Sequence, residues 1–335
     1  MKKFLSLFVV GLAFASITSC DETEPVVIPD APIDLDSLIM QSPDSVALLI
    51  ERGNNLFSEY KYDLAMNDAA KAFRLDSTNL EGRLLYAEVL NNREQRTVED
   101  VSIAQRHYQV VIKKDPKNLR ALVGVAATYG FQQDFDRAFQ YTNEALRINP
   151  KYRDAYVLKG SMYRLMGNME FAKSSYETAI QQDPEFFEAY FLLGQIYQAE
   201  ENVLCIEYFA TALELSPEIT EARYQLAYSN QMFGRYDIAA QLYREMATDT
   251  IDFYVARGLF HQGYIKQFYL EEVDSAMYFY RSALETEPRY VESWHNLGLC
   301  YVSKGDNTNA LKSFGKALMI DPDFELSREE SDRIR

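Results

Sequence analysis

Apolar and small residues recur at helical spacing along Arg153 to Phe186 (RDAYVLKGSMYRLMGNMEFAKSSYETAIQQDPEF): Tyr156, Gly160 and Tyr163 first, then Ala172, Tyr176 and Ala179. This spacing predicts two short amphipathic helices joined by a tight turn. Gly167-Asn168 stands where the first helix must stop, because glycine enters the left-handed cap conformation without a Cβ penalty. Asp183-Pro184 ends the second, since proline removes a backbone donor and restricts the residue before it. The stretch is 34 residues long, and Leu119 to Tyr152 has the same length and punctuation. A fixed period of that size predicts a repeat architecture.

The pattern extends from Val46 to Phe324 as eight units, starting at Val46, Leu80, Leu119, Arg153, Phe187, Thr220, Tyr254 and Val291. Its eighth position holds Gly53, Ala87, Ala126, Gly160, Gly194, Ala227, His261 and Gly298. Its twentieth holds Ala65, Ala104, Ala138, Ala172, Cys205, Ala239, Ala276 and Ala310. Six of the ten prolines close a unit, and the other four all precede Val46. With an aromatic at the eleventh position and Ala at the twenty-seventh, these residues resemble the tetratricopeptide repeat. The resemblance implies an all-α, right-handed superhelical solenoid of about eight helix-turn-helix repeats across 46–324.

Packing physics points the same way. Glycine inside a helix costs about 0.5–1 kcal/mol relative to Ala, so four at one position imply that two helices approach too closely for a side chain. A lone pair of such helices cannot bury its apolar faces, and stacked neighbours make one continuous core. Two units carry insertions at the inter-helix turn, five residues within Asn91 to Asp100 and about three within Lys266 to Asp274. At the sixth-to-seventh boundary Met246, Ile251 and His261 replace a small residue, the closing proline and another small residue. That added volume predicts a bend or opening of the superhelix there.

The N-terminal stretch 1–19 has two lysines and an apolar run from Phe4 to Phe14, then Ile17-Thr18-Ser19 before Cys20. The run is much shorter than the ~20 residues that span a bilayer, and it reads as an export signal. The residues around Cys20 resemble a bacterial lipobox, which implies lipidation of Cys20 and a membrane-tethered mature chain. Asp21, Glu22 and Glu24 resemble the acidic surface signals of some Bacteroidota lipoproteins, so the implied address is the bacterial cell envelope, with the outer membrane favoured. Residues 20–45 read as an acidic, proline-containing tether, with Ser42-Pro43 opening the first repeat helix. Residues 325–335 read either as a polar capping helix or as a frayed tail.

Charge and chemistry narrow the function further. The formal net charge is −16 with no basic run, which disfavours nucleic acid as a partner. The three histidines fall in different units without metal-ligand spacing. No phosphate-cradling loop or nucleophile motif is present in the sequence, so the chain reads as a non-enzyme without metal or cofactor. Cys205 and Cys300 read as buried free thiols.

By resemblance, the second, fifth, ninth, twelfth and thirteenth residues of each first helix line a concave groove. None of the fifth positions is lysine, so the family's clamp for a C-terminal carboxylate is missing. Phe191, Gln195 and Gln198 of the fifth unit, beside Tyr224, Tyr228 and Gln231 of the sixth, are the candidate peptide-binding groove. Aromatic anchors with amides beside them suit an extended peptide or partner helix, although with 24 Tyr and 20 Phe some of these rings equally fit a packing role. Two functions follow: a membrane-tethered adaptor that docks envelope proteins or peptides, or a lipoprotein capturing glycan or another nutrient beside an outer-membrane transporter.

Overall fold

The structure, a computed structural model, describes residues 34–248 and 251–335. The export signal, Cys20 and most of the acidic tether lie outside the described residues. Among the described residues there are eighteen α-helices and no strand. A short helix, α1 (Leu35–Gln41), precedes eight pairs: α2 (Val46–Ser58) with α3 (Tyr62–Leu75), α4 (Leu80–Asn92) with α5 (Val98–Lys114), α6 (Leu119–Phe131) with α7 (Phe135–Ile148), and α8 (Arg153–Leu165) with α9 (Met169–Gln182). The series continues with α10 (Phe187–Ala199) and α11 (Leu204–Leu215), α12 (Thr220–Met232) and α13 (Tyr236–Met246), α14 (Asp252–Phe268) and α15 (Val273–Thr286), then α16 (Val291–Ser303) and α17 (Asn307–Ile320). α18 (Glu325–Ile334) closes the stack with Ser327 and Ser331 buried against it.

Most pairs share one recurring contact, which the first and third lack, carrying Ala69 and Thr142 where the others carry a ring. A Cβ on Gly160 would lie 2.5 Å from the ring of Tyr176, so the small eighth residue is the floor on which a large ring from the second helix rests. The rings at this place, among them Tyr108, Tyr176, Phe209, Tyr243, Tyr280 and Phe314, are the largest fully buried side chains. Tight packing of this kind transmits any added volume to the neighbouring pair. Between pairs, the fourth residue of a first helix reaches back to the closing turn: Tyr156 Oη donates to the Pro150 carbonyl at 2.9 Å, and Trp294 Nε1 to that of Pro288 at 3.0 Å. Such bonds satisfy carbonyls that the preceding helix end leaves open.

The structure departs from several of these expectations. Structure begins earlier than the expected tether allows, because α1 buries Ile39 and Asp36 pairs with Arg52 at 2.6 Å. Ser42-Pro43 does not open the first repeat helix; Ser42 is the C-cap of α1, and Ser45 precedes α2. In the seventh repeat the small eighth residue is Gly263, not His261. A Cβ there would lie 2.8 Å from the Tyr280 ring, the same relation as Gly160 to Tyr176. Without a proline at position 251, α13 stops after 11 residues and α14 starts early and runs for 17. Most of the expected turn insertion is therefore a change of helix boundary. The bulk of Met246 is also accommodated: it is fully buried against Gly258, where a Cβ would sit 3.1 Å from its own.

Candidate functional site

The first helices line the concave face, which holds two distinct regions. The first is a cleft of about 850 Å³ between the first three repeats and the fourth and fifth. Its floor is built from groove positions of α2, α4 and α6: Asn54, Glu88, Asn91, Asn92 and Arg120. Arg120 donates through Nε to Glu88 Oε1 at 2.9 Å and through Nη2 to both Glu88 Oε2 and Asn54, and its Nη1 reaches Glu81. Burial raises the pKa of the Glu88 carboxyl, partly offset by the Arg120 guanidinium. Arg153, further along the cleft, pairs with Asp183 and Asp154 and lies over the Phe186 ring, 4.1 Å from its centroid. Both guanidiniums in the cleft are thus already matched by carboxylates of the chain.

The superhelix brings the far wall across this cleft. Tyr60, in the turn between α2 and α3, donates its phenol proton to Glu188 at the start of α10. Tyr60 has φ +60°, the left-handed region that glycine fills in the turns at Gly167, Gly234 and Gly305. A bulky residue there is uncommon. Tyr62 packs edge-on to Tyr60, with centroids 6.3 Å apart.

The second region lies on α12 and α14, where the sequence places Tyr224, Tyr228 and Gln231. Here the side chain of His261 turns inward. Its ring stacks on Tyr243 at 4.7 Å and 7°, its Nε2 lies 3.3 Å from Tyr224 Oη, and its Nδ1 lies 3.2 Å from Gln231 Oε1. These distances fit the tautomer with the proton on Nδ1, which donates to Gln231 while Nε2 accepts from the phenol. Arg257 Nη1 sits 3.5 Å from the same phenol oxygen. Burial, with Arg257 beside it, pushes the imidazole pKa down to about 3. His261 is therefore a neutral packing element at physiological pH.

The six candidate groove residues consequently part company. Tyr224 and Gln231 are engaged by His261, and Gln231 is buried. Tyr228 is 38% exposed and offers an open ring. Phe191 is half-buried against Phe209, centroids 5.6 Å apart. Gln198 donates to Ser229 Oγ at 2.9 Å, bridging α10 and α12, and Gln195 is half-buried beside it on α10. The cleft residues were missed, although Asn54 and Glu88 stand at ninth positions, Glu81, Arg120 and Glu188 at second positions, and Asn91 and Asn92 at twelfth and thirteenth. Applying the groove rule to the early repeats would have found them. Nothing in the pattern points to Tyr60, a turn residue.

Among the described residues no group of three or more His, Cys, Asp or Glu is arranged to hold a metal ion, and no helix is long and apolar enough to cross a membrane. Cys205 and Cys300 are buried free thiols, and burial pushes the Cys300 thiol up to about 12.

Comparison with known proteins agrees with this architecture. Residues 291–324 match the family model described as tetratricopeptide repeat, and residues 160–200 match one described as TPR repeat. Those two stretches match the tetratricopeptide repeat. It is 27% identical over 228 residues to human tetratricopeptide repeat protein 6, covering 57% of this chain and 37% of that protein. A shorter match, 29% over 65 residues, joins it to the chloroplastic tetratricopeptide repeat domain-containing protein PYG7 of Arabidopsis thaliana, covering 19% of this chain and 22% of that one. The chain thus spans less than half the length of these curated relatives. Among solved structures, the APC/C hetero-tetramer Cut9-Hcn1 is similar with a TM-score of 0.59 at 17% identity, over 89% of this chain and 57% of that one. A monomeric IFIT1 mutant with Gppp-AAAA is similar with a TM-score of 0.58 at 16% identity, over 85% of this chain and 76% of that one. At these identities the likeness is one of fold, an all-α repeat solenoid.

Proposed function

We propose that this protein is a docking scaffold that holds a segment of a partner protein in its concave groove. The observation that carries the reading is the cleft of about 850 Å³, floored by the amides of Asn54, Asn91 and Asn92 and walled by rings. Amides offer donors and acceptors to an extended backbone, and rings supply anchors of the kind that dominate interface energetics. A photo-crosslinking side chain placed at Asn54 or Asn92 should give discrete protein adducts, while the same group at Lys312 on the last repeat should not. Equal labelling from both places would overturn the reading.

The proposed address is the bacterial cell envelope, with the chain tethered by lipid on Cys20 and serving as an adaptor for other envelope proteins. Support comes from Ile17-Thr18-Ser19-Cys20 directly after a short apolar run. Cys20→Ser should move the protein from the membrane fraction to the soluble fraction and abolish incorporation of labelled fatty acid. Retention of the variant in membranes, with no label in the natural chain, would remove the tether from the proposal.

A further inference from the structure

The two walls of the cleft are unequal in charge. Its lining carries five carboxylates (Glu88, Asp154, Glu185, Glu188 and Glu218) against two guanidiniums. Arg120 is held by Glu81 and Glu88, and Arg153 by Asp183 and Asp154. That leaves Glu185, Glu188 and Glu218, on the wall made by the end of the fourth repeat and the fifth, with no cationic partner among the described residues. Opposite them stand the rings of Tyr60 and Tyr62. Glu188 receives only the phenol proton of Tyr60, a neutral donor that makes a weaker bond to a carboxylate than a cation does. Both Glu188 and Glu218 lie close enough to Tyr60 for their charges to act on its phenol.

A carboxylate wall facing aromatic rings, in a cleft whose own cations are spent, is complementary to a cation on an apolar stem. A lysine or arginine side chain meets both requirements, because its methylenes lie on rings and its head seeks carboxylates. We propose that the cleft captures an extended protein segment through a lysine or arginine side chain, whose head is received by Glu188 and Glu218 against the rings of Tyr60 and Tyr62. The phenol of Tyr60 holds Glu188 until that cation arrives. This inference rests on the docking function proposed above and specifies the chemistry of the partner. The net charge of −16 adds long-range attraction for a basic segment.

The test selects short peptides from an unbiased displayed library on the full chain. Selected sequences are then synthesised in pairs, with Lys or Arg in one member and norleucine or citrulline in the other, and affinity is read by fluorescence anisotropy. Basic members should bind at least about tenfold more tightly than their neutral pairs, with the advantage shrinking as salt is added. The double variant Glu188→Gln/Glu218→Gln should lose that advantage, whereas Glu94→Gln/Glu99→Gln, which removes the same charge from exposed positions before and at the start of α5, should keep it. Tyr60→Phe retains the ring and frees Glu188, so it should bind at least as well as the natural chain. Equal losses from the two double variants would reduce the effect to net charge and overturn the inference. Selected peptides without a basic residue that still depend on Asn54 and Asn92 would overturn it and leave the docking function standing. Failure of every peptide to depend on the concave face would remove both.

Discussion

The cleft of the early repeats and the aromatic patch of the sixth and seventh occupy the same concave face and have met opposite fates. In the cleft, Arg120 and Arg153 are satisfied by carboxylates at their sides, so the space above them stays open. In the patch, His261 fills the groove itself, stacking on Tyr243 and bonding Tyr224 and Gln231. The difference is one of register. A two-residue shift of the seventh repeat moves His261 off the helix-pair interface, which Gly263 then occupies, and swings the imidazole toward α12. Groove aromatics thus become core by gaining a partner from the next repeat, and groove positions alone do not make a site.

Four experiments break or sharpen this contrast. The largest effect should come from Arg120→Ala, which strands the buried Glu88 carboxylate. Removing one partner of a fully buried pair typically costs about 3–5 kcal/mol; Arg120 is itself partly exposed, so a loss toward the lower end is expected, and a chemical-denaturation midpoint close to that of the natural chain would show the pair to be dispensable. Next, Gly258→Ala places a Cβ 2.7 Å from the Tyr243 carbonyl oxygen. Overpacking of this kind costs about 1–3 kcal/mol. Gly315→Ala, in open space within α17, should instead stabilise by about 0.5–1 kcal/mol. Matching melting temperatures for these two variants would contradict the tight sixth-to-seventh contact.

The third experiment uses pH. The folded pKa of His261 lies below its ordinary value of 6.5, at about 3, so the folded state binds this proton less readily than the unfolded chain. Its contribution is complete above the ordinary value and is lost as pH falls through the window below it, at about 1.4 kcal/mol per pH unit. His107 and His295 are lowered by burial in the same direction, so some slope will remain. His261→Gln should flatten the stability–pH curve below pH 6.5 relative to the natural chain; an unchanged slope would show that the imidazole is not held neutral. The smallest expected effect is that of Tyr228→Ala on folding, within about 0.5 kcal/mol for so exposed a ring. Tyr224→Ala should lower the melting temperature more, since its phenol supports His261. Equal effects would mean that the patch is not divided into open and closed halves.

Much of the fold was legible because helix pairing is local. The alternation that buries Tyr176 on Gly160 is fixed by residues sixteen apart in one repeat, and proline at six of the eight repeat ends marks where the second helix stops. At Ile251, one of two repeat ends without the proline, the boundaries were misplaced, and that error displaced His261 from its true role. The candidate site was legible only in part. Groove positions are readable from the period, but whether a polar or aromatic group there is free depends on partners in neighbouring repeats.

The sequence by itself determined the repeat, the small-to-aromatic contact that closes most pairs, and the number of units, since all three follow from helical periodicity over short separations. Only the tertiary structure decided that Tyr60 meets Glu188 across 128 residues, that the cleft keeps three carboxylates without a cation among the described residues, and that His261 turns inward. The reason is geometric. Each repeat adds a small rotation to the last, so which residues face one another across the groove is set by the sum of many inter-repeat angles.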